Sequence, residues 1–280
     1  MTKKIGVALA GGGARGAYQI AVLKVLKEHG YLDNVYAVSG ASVGSLNAVV
    51  LATDDLDKAK DIWLSMDQDS LFKAENSTVL KRLFKEKFNF IYKGVYQTDK
   101  LETMIDDMLD YKKLKDKHVY VATSEVGDDN SSFMELITLN LRNFFGKKDL
   151  IRYQSLSDMD YDHVKRTLLA SCAIPVVFKP VVIDNKTYYD GGVLDNLPIQ
   201  PLIDAGCNEI IAIDLFRFNF HRKETIKDIP ITHIYPRKNL RGIMDFRSEQ
   251  LKRRYELGEI DALNVIETLK QKTLVKEESQ

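Results

Sequence analysis

Gly40-Ala41-Ser42-Val43-Gly44 brackets a serine with two glycines, between an apolar run, Val35 to Val38, and a small-residue run, Ser45 to Ala52. Between a strand and a helix, this G-x-S-x-G pattern makes a sharp turn. It exposes the hydroxyl at the strand's carboxyl end, and the helix aims its N-terminal dipole at charge formed during attack. Ser42 is therefore the candidate nucleophile, with Gly40 and Gly44 as its elbow. Ser39 and Ser45 are off the centre of the bracket. The bland alternative is a turn that serves only the fold.

A second glycine cluster, Gly11-Gly12-Gly13-Ala14-Arg15-Gly16, follows the apolar run Ile5 to Ala10 and opens a helix from about Ala14. G-x-G-x-x-G in this setting can bind a dinucleotide, but that use calls for an acid about 20 residues on, at the end of the second strand. Here that strand ends in Ser39-Gly40, and Asp33 precedes it. The same exposed backbone N–H groups can instead stabilise a developing oxyanion, the better fit beside Ser42. Arg15 has two readings, a solvated helix residue or a holder of a phosphate head group.

A serine hydroxyl needs a base. Asp190-Gly191-Gly192 follows an apolar hairpin, Val181-Val182-Ile183 and Lys186 to Tyr189, in a setting where partial burial would raise the basicity of Asp190. The alternative is a Ser-Asp-His order completed by His221 or His233. His29, His118 and His163 read as structural.

These residues need a scaffold. Strand, helix, strand and helix over the first 52 residues imply a parallel sheet with right-handed crossovers. Further strands are expected at His118 to Ser124, Phe133 to Leu139, Ile210 to Leu215 and His233 to Tyr235, with a helix at Tyr161 to Cys172. A charged helix over about 247–270 has Leu251, Tyr255, Ile260, Leu263 and Ile266 on its apolar side. Its Lys252-Arg253-Arg254 cluster reads as a solvated face, with anionic-lipid recognition as the rival reading. The aromatic segment from Phe72 to Tyr96 fits no clean period, and core packing is preferred to a lid or acyl-chain wall.

The 280 residues suit one domain, 1–280, and 45% hydrophobic with 29% charged residues suits a large buried core. Forty basic residues balance forty acidic ones, so no global field favours nucleic acid. Cys172 and Cys207 read as buried free thiols in a reducing compartment. The run Ile5 to Ala10 is too short for a signal or a membrane span, so a cytoplasmic protein is expected, with peripheral membrane contact open.

The ordered motifs resemble the patatin-like phospholipase family: Gly11 to Gly16 its oxyanion loop, Gly40 to Gly44 its elbow, and Asp190-Gly191-Gly192 its aspartate motif. Ala170 to Pro175 resembles the segment before the last. The resemblance implies an α/β fold, three-layer α/β/α with a mainly parallel central sheet. It implies a Ser42–Asp190 dyad without histidine, an oxyanion held by the Gly12 and Gly13 N–H groups, and an acyl-enzyme. Hydrolysis of phospholipid or neutral-lipid acyl esters without metal or cofactor follows. The competing expectations are an α/β-hydrolase esterase with a Ser-Asp-His triad and a non-hydrolytic nucleotide-binding module.

Overall fold

The structure is a computed structural model that describes residues 2–66, 99–126, 148–175, 177–218 and 223–278. The aromatic segment from Phe72 to Tyr96, the strand expected at Phe133 to Leu139, and His221 lie outside the described residues.

A mixed α/β fold is built on one central sheet with helices against it. Five strands form its parallel centre: β1 (Ile5–Leu9), β2 (Val35–Ala41), β3 (His118–Val126), β7 (Glu209–Ile213) and β9 (Ile229–Ile234), in the order β3-β2-β1-β7-β9. Four further strands pair antiparallel: β4 (Ile151–Ser155) and β6 (Lys186–Asp190) on β3, β5 (Val181–Ile183) on β6, and β8 (Thr225–Ile226) on β9. The hairpin of β5 and β6 turns at Asp184 and Asn185, both at positive φ, as Asp-Asn turns allow.

Alternate residues of each central strand enter different cores, as the period of two requires. Val7, Leu9, Ile211 and Ile213 pack on one face under α1 (Gly16–Glu28), α2 (Val43–Thr53) and α3 (Leu56–Ser65). Ala8, Ile210 and Ala212 pack on the other face with Leu202 of α7 (Gln200–Asp204) and Cys207. Between α3 and α7 in sequence lie α4 (Asp99–Met108), α5 (Tyr111–Leu114) and α6 (Tyr161–Cys172). Both cysteines are free and buried.

The terminal helix α8 spans Ser248–Glu278, past the end expected near Lys270. Its buried stripe differs from the apolar set read off the sequence. Leu251, Tyr255 and Ile266 are inside, whereas Ile260 and Leu263 are about half exposed, at 54% and 48%. Gly258 sets the register, because a Cβ there would stand 2.4 Å from the Tyr18 carbonyl oxygen of α1. Tyr18 in turn donates its hydroxyl to Asp261 at 3.1 Å. The cluster is not a solvated face either: Arg254 is fully buried and Arg253 donates to the Asn239 carbonyl, which leaves Lys252 exposed.

Candidate active site

Ser42 and Asp190 are brought together by one edge of β3. Residues Tyr120 to Ala122 pair with β2 and also with β4, so those two neighbours occupy opposite edges. Thr123 and Ser124 pair with β4 and β6, which puts β6 on the same edge as β2. The two strands run toward each other along that edge and stop head to head, Ala41 opposite Ala122 and Asp190 opposite Thr123. Ser42 is the next residue after the first end, and Asp190 is itself the second.

The elbow is strained and tightly fitted. Ser42 has φ 53° and ψ −133°, a conformation that costs a non-glycine residue about 1–3 kcal/mol and points to function where the surroundings enforce it. They do so here: a Cβ on Gly40 would lie 2.3 Å from the Gly44 carbonyl oxygen, and one on Gly44 2.4 Å from that of Leu9. The Ser42 N–H donates to the Ser171 hydroxyl at 2.9 Å, which donates onward to the Ala122 carbonyl at 2.8 Å. Ser171, at the end of α6, thus ties the elbow to β3.

Asp190 is buried, 4% exposed. Loss of solvent pushes its carboxyl up to about 7, while the Ser42 hydroxyl and the Gly192 N–H, both donors to the carboxylate, pull the other way. Gly192 N–H reaches Oδ1 at 2.7 Å, and the Ser124 hydroxyl donates to the Asp190 backbone carbonyl at 3.0 Å. Gly191 passes so close to β3 that a Cβ would stand 2.3 Å from the Ala122 carbonyl. A carboxylate held near neutrality is a competent general base. The described histidines are engaged elsewhere: His29 with the Val25 carbonyl, His118 against the Tyr36 ring, His163 with Asp160 and Asp184, and His233 with the Lys223 carbonyl. Among the described residues, no group of three or more His, Cys, Asp or Glu side chains could hold a metal ion.

The glycine loop keeps two backbone donors available. Gly11 N–H donates to the Asn196 carbonyl at 3.1 Å and Ala14 N–H to that of Ile243 at 2.7 Å. Among the described residues, the Gly12 and Gly13 N–H groups between them donate to nothing. Gly13 has φ +54°, and a Cβ there would lie 2.3 Å from the Ile243 carbonyl oxygen. Gly13→Ala is therefore expected to displace the loop and, if its N–H serves as an oxyanion donor, to lower kcat by about 10²–10³-fold with KM little changed. Steady-state kinetics of the folded variant would check it.

Arg15 faces away from this chemistry. Its guanidinium donates to the Arg241 carbonyl at 2.6 and 2.9 Å and to that of Leu215 at 3.2 Å. It is a tie between loops rather than a solvated helix residue or a phosphate holder. Gly16 lies against Trp63, whose ring a Cβ would meet at 2.5 Å.

Three contributors have roles that sequence reading did not assign. Asn196 clamps Gly11 from both sides, its carbonyl accepting and its Nδ2 donating to the Gly11 carbonyl at 3.2 Å. Ser171 is the second. Arg254 is the third: its guanidinium donates to the carbonyls of Leu240, Gly242, Asp245 and Ala14, fastening the glycine loop to the 239–246 segment. Its only sequence signal is a charge set between Leu251 and Tyr255.

Beside Ser42 opens a narrow apolar cavity of about 60 Å³, whose walls include Gly13, Val43, Leu46, Met104, Phe178 and Met244. The two methionines make part of the wall adaptable in shape. Cys172 also lines it; burial first, then the neighbouring Asp190 charge, pushes its thiol up, away from reactive thiolate.

The model of the family described as Patatin-like phospholipase matches residues 7–203. An uncharacterized protein of Acanthamoeba polyphaga mimivirus is 29% identical over 234 residues, covering 82% of this chain and 71% of its own. The probable lipid hydrolase of Invertebrate iridescent virus 6 is 24% identical over 196 residues, covering 69% and 61%. The chain spans between 49% and 71% of the length of the first curated relatives it matches. The crystal structure of VipD from Legionella pneumophila superposes with a TM-score of 0.51 at 16% identity, over 95% of this chain and 67% of that one.

Proposed function

The chain belongs to the patatin-like phospholipase family, and on that premise we propose that it hydrolyses lipid acyl esters through a Ser42–Asp190 dyad. The observation that carries the proposal is the head-to-head meeting of the strained serine and the buried aspartate on one edge of β3, with two N–H groups in the adjoining loop that donate to nothing among the described residues.

With the acyl chain in the apolar cavity, Ser42 Oγ attacks the ester carbonyl as its proton passes to the Asp190 carboxylate. The carbonyl oxygen gains the charge and receives the Gly12 and Gly13 N–H groups, while the α2 dipole adds to its stabilisation. Collapse expels the alcohol, which takes the proton from Asp190 and leaves an ester on Ser42. Asp190 then accepts a proton from water, hydroxide attacks the acyl-enzyme, and the fatty acid departs as Ser42 is reprotonated. Among the described residues, no helix is long and apolar enough to cross a membrane.

The test is release of p-nitrophenol from a medium-chain acyl ester, followed by a lipid panel with products identified by mass spectrometry. Activity is expected to vanish in Ser42→Ala and to persist in His221→Ala and His233→Ala. Loss in either folded histidine variant would replace the dyad by a triad.

A further inference from the structure

The glycine loop leaves β1 at the carboxyl edge of the parallel sheet. The neighbouring strand β7 runs parallel to it, so the segment Leu215 to Phe218 emerges on the same edge. Unlike the glycine loop, this segment turns aromatic side chains outward: Phe216 is 40% exposed and Phe218 71%. Arg15 lies over the Phe216 ring at 4.7 Å, and Arg217 over the Phe218 ring at 5.0 Å. β9 is parallel to β7, so the segment after it joins the rim, where Tyr235, Arg237, Lys238 and Arg241 are exposed. The hydrogen bonds of Arg15 to Leu215 and Arg241 fasten both segments to the glycine loop.

The segments 215–218 and 235–241 carry a charge the whole chain lacks. Acidic and basic residues balance overall at forty each, yet the exposed charges in these two segments are all cationic. Of the acids beside these two segments, Asp214 and Asp261 are buried and Asp245 is engaged by Arg247, while Glu224 stands exposed beside Tyr235 and Arg237. Exposed aromatics among arginines and lysines are the composition of surfaces that enter the headgroup layer of a bilayer, where rings sit at the interface and cations meet phosphates.

We propose that this rim is a docking surface for a lipid bilayer with anionic headgroups. Phe216 and Phe218 enter the interface while Arg217, Arg237, Lys238 and Arg241 face the phosphates. The bilayer would then lie against the edge that carries the glycine loop and Ser42. The proposal builds on the lipid-hydrolase reading, and it places membrane contact on these loops rather than on the terminal helix.

The test uses full-length Ser42→Ala protein, which cannot turn over lipid, in co-sedimentation with phosphatidylcholine vesicles prepared with and without phosphatidylglycerol. Binding is expected only with phosphatidylglycerol and should weaken as salt rises. Phe218→Ser should lower partitioning more than about tenfold, the effect of one aromatic side chain kept in water. Arg217→Ser and Lys238→Ser should each lower it about fivefold. In protein that keeps Ser42, the same substitutions should leave hydrolysis of a soluble ester unchanged. Absence of parent binding, or variants that bind as the parent does, would overturn the docking surface. Vesicle binding without soluble-ester hydrolysis would instead sink the hydrolase reading and leave the surface standing.

Discussion

Asp190→Asn is expected to separate activity from stability, abolishing the first and raising the second. The amide cannot accept the Ser42 proton, so kcat/KM should fall roughly a thousandfold or more. Its side-chain oxygen can still accept the Gly192 N–H, so the local geometry has a means of surviving. Asp190 titrates in the folded protein near 7 rather than its usual 3.8 because burial penalises the charged form. Between those two values the native state binds more protons than the unfolded one, so this group's contribution to stability falls as pH rises through that window. Above 7 the full cost is present, on the order of 4 kcal/mol at 1.36 kcal/mol per unit. Asparagine carries no such charge, and its thermal midpoint at pH 8 should exceed that of the parent protein, with the gap closing toward pH 4. The same ionisation governs catalysis in the opposite sense. Below about 7 the base is protonated, so log kcat/KM should rise with pH and level off above it. A flat profile between pH 5 and 8, or an Asp190→Asn protein that melts lower at pH 8, would contradict the buried base.

The largest stability effect is expected at Arg254. The side chain is fully buried and serves four backbone carbonyls, and among the described residues it forms no ion pair. Arg254→Met would remove the donors and leave buried carbonyls without them, at a cost of about 1–3 kcal/mol for each one left unsatisfied. Arg254→Lys should recover only part, since one ammonium cannot reproduce the guanidinium fork. Because the Ala14 carbonyl is one of the four, kcat should fall in both variants even under conditions where they remain folded. Denaturant midpoints with circular dichroism would measure the first effect and steady-state kinetics the second.

The elements nearest the chemistry were legible because their signals are local. Gly40, Ser42 and Gly44 announce a turn that backbone crowding demands, and an apolar run before glycine announces each strand. What brought Ser42 to Asp190 was not local. It depends on β4 occupying one edge of β3, so that β2 and β6 must share the other, and no spacing in the sequence encodes that. Asn196 was hidden for a related reason, and the resemblance marked the segment of Ser171 without its role: a hydroxyl or amide that satisfies a distant backbone group looks like any other polar residue. In α8, apolarity alone counted Ile260 and Leu263 inward. The helix instead turns toward α1 the stripe in which Gly258 permits close approach, and its buried cation lies on that stripe. Arg15 shows the converse, a charge beside the candidate site that proves to bind carbonyls.

Covalent trapping distinguishes Ser42 from every other residue as the carrier of the acyl group. Intact protein treated with an alkyl fluorophosphonate, then digested and analysed by mass spectrometry, is predicted to carry one adduct on the peptide containing Ser42. The adduct should be absent from Ser42→Ala and form far more slowly in Asp190→Asn. An adduct on any other residue, or equal labelling of Ser42→Ala, would rule out Ser42 as the sole nucleophile.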